Sequence, residues 1–228
     1  MDPIHSSSRE RIKMAQKKQN VSMSVIRRLP RYYRFLSELA KKGENRISSK
    51  ELSEKMGFTA SQIRQDFNCF GGFGQQGYGY NVTQLCEEIE KILGIQKHRP
   101  CILVGAGNLG RAITGHMPFD QLGFQLIGVF DNAPKVIGNQ ISGYQVLDYA
   151  GIDEFYRENH PLMAILCVPQ EYVEGVSDKL YEMGIRFFWN FSHYDITLRH
   201  PDAIVESVHM NDSLMTLSYR LALQEEQA

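Results

Sequence analysis

Cys101-Ile102-Leu103-Val104-Gly105-Ala106-Gly107-Asn108-Leu109-Gly110 is the stretch of this 228-residue chain whose reading decides the fold. Four apolar residues in a row have the pattern of a strand buried on both faces, and a G-x-G-x-x-G run follows at once. Arg111 to His116 reads as the helix that continues from it. The three glycines have separate tasks in such a turn. Gly105 permits the tight bend out of the strand, Gly107 lets a pyrophosphate approach the backbone at the helix N-terminus, and Gly110 lets helix and strand pack closely. Ala106, Asn108 and Leu109 share the turn and are candidate contacts. A second apolar strand, Phe124 to Phe130, ends in Asp131, 26 residues after Gly105. An acid there accepts a hydrogen bond from a ribose 2′-hydroxyl and repels a 2′-phosphate, so NAD(H) is favoured over NADP(H). Asn132 and Lys135, just beyond, are further candidates. The competing reading is a Rossmann-like domain for another nucleotide such as coenzyme A.

Outward toward the C-terminus, Met163 to Val168 reads as another buried strand ending in Pro169, with a helix from about Glu171 to Met183. Phe187 to Ser192 reads as one more strand. In a doubly wound parallel sheet the loops at the strand ends face the ligand crevice, which nominates Val168, Pro169, Asn190, Phe191 and Ser192 as cofactor neighbours. Phe187, Phe188 and Trp189 are expected in the core. Asn211 to Leu223 puts Leu214, Leu217 and Leu221 on one helical face after the sheet has ended, which suggests a contact between two copies of the chain.

Toward the N-terminus the chemistry changes. Residues 1–70 hold 15 Lys/Arg against 7 Asp/Glu, whereas the remainder holds 10 against 19, although the whole chain sits at a net charge of -1. Such asymmetry points to a polyanion as the partner of the first third. Residues 1–22 carry three consecutive serines and five basic residues without apolar period, the signature of a mobile basic arm. From Ser24 to Ala40 apolar residues recur at spacings of three and four, with Pro30 marking a bend or restart. Ser48-Ser49-Lys50-Glu51 is a capping box, and Thr59-Ala60-Ser61-Gln62 is a second one. Two short helices around a glycine-containing turn in a basic segment form a helix-turn-helix. Phe70 to Tyr80, in which glycines alternate with aromatics and two glutamines, then reads as a hairpin, the wing of a winged helix. A last amphipathic helix, Val82 to Leu93, is expected to link this domain to the next.

Composition excludes several classes. With 43% hydrophobic and 22% charged residues the chain has globular proportions. Its apolar runs are far shorter than the roughly 20 residues that span a bilayer, so no membrane partner is expected. The four cysteines, Cys69, Cys86, Cys101 and Cys167, include no C-x-x-C pair, which leaves no expected metal site. No charged-then-apolar leader opens the sequence, and a reducing cytoplasm with buried free thiols is the expected setting.

A winged helix followed by this fingerprint and a terminal apolar helix resembles the redox-sensing transcriptional repressors called Rex. The resemblance covers about residues 24–222. Its most specific stretches are Arg28-Leu29-Pro30-Arg31-Tyr32-Tyr33-Arg34, Ser48 to Leu52, Ser61-Gln62-Ile63-Arg64-Gln65-Asp66-Phe67, Phe70 to Tyr80, Gly105 to Gly110 and Asn190-Phe191. It implies a homodimer that binds a double-stranded, AT-rich inverted-repeat operator when NADH is scarce and leaves it when NADH closes the dimer, with the C-terminal helix exchanged between subunits. Candidate DNA contacts are Arg28, Arg46, Ser48, Ser49, Ser61, Gln62, Arg64 and Gln65, with Gln75, Gln76, Gly77 and Tyr78 of the wing in the minor groove. The chain departs from the family in places. Gln65 replaces a usual lysine of the recognition helix, and His193 stands where proline is usual. Arg34 matches an arginine of the family's interdomain switch, whose tyrosine and aspartate partners are His116 and His209 here.

The expected organisation is therefore α/β, with a flexible arm over 1–22, a winged-helix domain over 23–82, a linker helix over 83–97, a Rossmann NAD(H)-binding domain over 98–206 and a dimerisation helix over 207–228. No catalytic residue is expected. Two rival functions remain: an NAD-dependent oxidoreductase with a fused DNA-binding domain, for which His193 is the available acid or base, and a repressor that senses thiol oxidation through Cys69 at the end of the recognition helix.

Overall fold

The structure, a computed structural model, describes residues 21–70, 74–75 and 78–226, with residues 74 and 75 described by their backbone alone. The expected basic arm lies outside the described residues apart from Val21 and Ser22. The chain divides into two compact units, Met1–Gly94 and Ile95–Ala228.

In the first unit, α1 (Met23–Ile26) and α2 (Leu29–Lys41) are separate helices. Pro30 sits at the second position of α2, where a missing N–H costs nothing, so the proline restarts the helix rather than bending it. After β1 (Arg46–Ile47), α3 (Ser49–Met56) begins with the expected capping box: Ser48 Oγ accepts from Glu51 N–H at 3.1 Å and Glu51 Oε2 accepts from Ser48 N–H at 2.7 Å. Gly57 ends α3 in the left-handed conformation, φ 71°. Helix α4 (Ala60–Asn68) keeps only half of its expected box. Thr59 Oγ1 accepts from Gln62 N–H, but the Gln62 amide turns toward Asp66 instead of back to the cap. Strands β2 (Gly74–Gln75) and β3 (Gly79–Asn81) form the wing, with β3 paired antiparallel to both β1 and β2.

Helix α5 (Val82–Leu93) corrects the expected linker. Its buried face, Val82, Leu85, Cys86 and Ile89, joins Leu29, Tyr32, Leu36 and Leu39 of α2 in one hydrophobic core with Ile47, Leu52, Ile63, Phe67 and Tyr80. A three-turn amphipathic helix has to bury its apolar stripe, and here it does so inside the first unit.

The second unit is built on β4 (Arg99–Val104), β5 (Phe124–Asp131), β6 (Gln140–Ile141), β7 (Tyr144–Asp148), β8 (Met163–Leu166), β9 (Phe187–Asn190) and β10 (Ile204–Ser207). Their order in the sheet is β10-β9-β8-β4-β5-β7-β6, parallel throughout except for the β6–β7 pair. The chain leaves β4 in one direction and returns to continue on its other side at β8, which makes the carboxyl ends of β4 and β8 the switch point of the sheet. Cys101 and Leu103 face one core with Ile113 of α6 (Asn108–His116). Ile102 and Val104 face the other, with Ile152 of α7 (Ile152–Asn159) and Val173 and Leu180 of α8 (Gln170–Glu182). Phe188 is core as expected, but Phe187 is 46% exposed at the amino end of its strand. The last helix, α9 (Met210–Glu225), buries none of its residues.

Candidate functional site

The outer face of α4 presents Ser61, Arg64 and Gln65 to solvent, while Ile63, Asp66 and Phe67 point into the core. The aspartate is the unexpected member. Asp66 is 1% exposed, and its carboxylate accepts from Arg28 Nε and Nη2, both at 2.7 Å, from Tyr32 Oη at 2.8 Å and from Gln62 Nε2 at 2.9 Å. Burial opposes its charge, yet the bonds from Arg28, Gln62 and Tyr32 outweigh burial and hold the carboxyl below its usual range. Burial and the same carboxylate push the Tyr32 hydroxyl up. The clamp ties α4 to α2 and to the turn before it. Arg28 and Gln62, expected on the DNA side, are thus both engaged with the buried acid. An acid in register with Ile63 and Phe67 on an apolar stripe was the signal for this group.

Arg64 reaches across from α4 to the first residue of α3, where its Nη1 donates to Ser49 Oγ at 3.1 Å. Ser48 is occupied by the cap. At the wing, Arg46 Nη1 donates to the Tyr78 carbonyl at 3.1 Å and its guanidinium lies 5.8 Å from the Tyr78 ring, which is 69% exposed. Gln76, Gly77 and the side chain of Gln75 lie outside the described residues.

The second unit holds a cleft of about 650 Å³ at the switch point. Of the expected cofactor residues, Gly105, Gly107, Leu109, Asp131, Asn132, Val168, Pro169 and Phe191 line it. The three glycines differ as the fingerprint requires. Gly105 has φ 102°, and a Cβ there would lie 2.5 Å from the Cys167 carbonyl oxygen. A Cβ on Gly110 would collide with the Gly105 carbonyl oxygen. At Gly107, by contrast, no described atom lies within 4 Å of such a Cβ, so the space over the start of α6 is open. Asp131 fixes this loop from the end of β5: Oδ2 accepts from Ala106 N–H at 2.7 Å and Oδ1 from Ala133 N–H at 2.8 Å.

Ala106, Asn108, Gly110, Lys135, Asn190 and Ser192 are not among the lining residues. Asn190 is buried and works within its own turn, donating from Nδ2 to the Tyr194 carbonyl and accepting at Oδ1 from Ser192 N–H and Oγ. That turn aims Phe191, whose ring packs edge-on against Trp189. Tyr149, Cys167, Tyr172 and Val176 also line the cleft, although no local motif marks them as cofactor neighbours. Tyr149 follows β7, a short strand with little apolar signal, and its hydroxyl is buried without a hydrogen-bond partner among the described residues, with burial raising its pKa to about 12. Burial likewise lifts the Cys101 and Cys167 thiols to about 12.

Of the expected switch groups, Arg34 is exposed on α2 and His116 on the last turn of α6. His209 begins α9. Its Nε2 lies 3.2 Å from the Ser192 carbonyl oxygen, its Nδ1 lies 3.7 Å from Asp212 Oδ2, and its ring centre is 4.8 Å from that of His193.

Comparison with known proteins bears on both units. Residues 20–68 match the family model described as "Putative DNA-binding protein N-terminus", and residues 96–194 match the one described as "CoA binding domain". The chain is 53% identical over 209 residues to a redox-sensing transcriptional repressor Rex of Caldanaerobacter subterraneus subsp. tengcongensis, covering 92% of this chain and 93% of that one. The chain belongs to the Rex family. The Rex protein of Clostridium tetani is 48% identical over 211 residues, covering 92% and 99% of the two chains. Among solved structures, the Rex-family repressor RSP in complex with β-NAD+ and operator DNA matches with a TM-score of 0.83 and 51% identity, covering 90% of this chain and 94% of that one. The same repressor with β-NADH matches with a TM-score of 0.82 and 48% identity, covering 90% and 96%. Rex membership accounts for a winged helix and a glycine-turn cleft in one chain, and the family is one of redox-sensing regulators.

Proposed function

We propose that this chain is a homodimeric repressor that holds an AT-rich inverted-repeat operator with its winged helix and releases it when NADH enters the cleft of its second unit. The observation that carries the reading is the open backbone at Gly107 beside Asp131, in a chain whose other unit presents Arg64 and the wing. The cleft residues fit a dinucleotide. The uncovered N-terminus of α6 favours a pyrophosphate, Asp131 suits an unphosphorylated ribose, and the walls formed by Val168, Tyr172 and Val176 suit a planar base. NADH contributes binding energy rather than a hydride. It shifts the dimer only as far as it binds the DNA-incompetent state more tightly. Relatives solved with NAD+ and NADH support the choice of ligand.

Coenzyme A suits the cleft less well, because its phosphorylated ribose would meet the Asp131 carboxylate. Catalysis would need an acid or base at the nicotinamide, and His193, the residue expected in that role, is not among the lining residues of the cleft and packs against His209. The thiol-oxidation rival rests on Cys69, whose Sγ donates to the Gln65 carbonyl oxygen at 3.3 Å just after α4; Cys86, Cys101 and Cys167 add little to it, because burial raises their pKa values and keeps the reactive thiolate scarce. A second copy is the natural cover for Leu214, Leu217 and Leu221, all exposed on α9. No described helix is long and apolar enough to cross a membrane. A DNA partner supports a cytoplasmic setting. A gel-shift titration of an AT-rich palindrome with NADH, NAD+ and NADPH tests the reading: NADH alone should release the duplex at low concentration, and indifference to all three would refute it.

A further inference from the structure

Arg64 and Ser49 form a contact that neither helix needs for its own stability. The start of α3 is capped by Ser48 and Glu51, and α4 is anchored by Asp66. Ser49 stands one residue inside the cap, and its Oγ accepts from Arg64 Nη1 at 3.1 Å across the turn of the helix-turn-helix. Arg64 is exposed and makes no other hydrogen bond among the described residues. An unrestrained arginine samples many rotamers, and that freedom is lost when its fork docks on a base. A guanidinium held at Nη1 has fewer rotamers to lose, and it keeps Nε and Nη2 as the paired donors that a guanine O6/N7 edge accepts.

We propose that Ser49 is a positioning residue for sequence discrimination, holding the Arg64 guanidinium in the orientation that reads a G·C pair. The inference rests on the DNA-binding reading above and assigns Ser49 to the reader rather than to the phosphate backbone. A serine that contacts phosphate contributes to every duplex alike, whereas one that acts through Arg64 contributes only where Arg64 finds its base.

The test is a double-mutant cycle on the full chain, read as the ratio of affinities for an AT-rich inverted repeat containing G·C pairs and for the same duplex with those pairs exchanged for A·T. Ser49→Ala should lower this ratio about two- to tenfold, the range of one ordinary hydrogen bond. Ser49→Thr, which keeps the hydroxyl, should restore it. In the Arg64→Ala background Ser49→Ala should change the ratio no further, because its effect passes through the arginine. Equal weakening on both duplexes with a shallower salt dependence would mark Ser49 as a phosphate contact and overturn the proposal. Independent, additive losses of selectivity would overturn it too. A wild-type chain that binds neither duplex would refute the DNA-binding reading itself, an outcome distinct from both.

Discussion

Asp66→Asn is the substitution that most sharply tests how the recognition helix is held. The change keeps the size of the side chain but removes the charge that Arg28 grips with two 2.7 Å bonds. Removing one partner of a fully buried pair costs roughly 3–5 kcal/mol. The Arg28 side chain keeps 23% of its exposure and can recover some hydration, so the expected loss is about 2 kcal/mol at neutral pH. The pH dependence follows from the depressed carboxyl. Because its folded value lies below the ordinary 3.8, the stabilisation is complete above that value and disappears as the pH falls through the folded one. Wild type and Asp66→Asn should therefore differ fully at pH 7 and converge in acid. The assay is hydrogen exchange of the α4 amides in the full chain, which reports opening of this helix without assuming that the two units unfold together. A loss below about 0.5 kcal/mol, the level of an exposed pair, or a difference that persists unchanged at low pH, would refute the clamp.

Gly107→Val should leave folding nearly unchanged, since a Cβ there has no described atom within 4 Å beyond its chain neighbours and its own helix backbone, yet abolish NADH binding measured by calorimetry while operator binding persists. Asp131→Ala removes both the acceptor of the Ala106 and Ala133 amides and the charge at the ribose, so it should weaken NADH and narrow its preference over NADPH; unchanged selectivity would assign that preference elsewhere. Leu217→Asp on the exposed face of α9 should shift the chain toward monomer in analytical ultracentrifugation and weaken operator binding; an unaltered dimer would place the interface on another surface.

The sequence was most legible where a local pattern has one physical solution. The apolar run at Cys101–Val104 could only be a strand buried on both faces, and Gly105 and Gly110 occupy positions that a side chain would block. The capping box at Ser48 and the turn at Gly57 likewise depend on neighbours in the chain. Legibility failed where partners are distant. The place of Asp66 on the stripe of Ile63 and Phe67 hints at burial, but its partners Arg28 and Tyr32 lie more than thirty residues away. Helix α5 reads as a linker because its stripe does not say which domain it covers. Asn190 and Ser192 sit at the right strand end for a ligand, but their polar atoms serve the turn that presents Phe191. Strands β7 and β10 are short, and their place comes from pairing with β5 and β9.

Whether NADH in the glycine-turn cleft drives the winged helix off DNA can be read by fluorescence anisotropy of a labelled AT-rich palindrome bound to the purified full chain during titration with NADH and, separately, NADPH. NADH should return the anisotropy to that of free duplex at concentrations where NADPH has no effect, and Gly107→Val should remain bound throughout. Anisotropy that stays high when calorimetry shows the cleft saturated with NADH would contradict this mechanism.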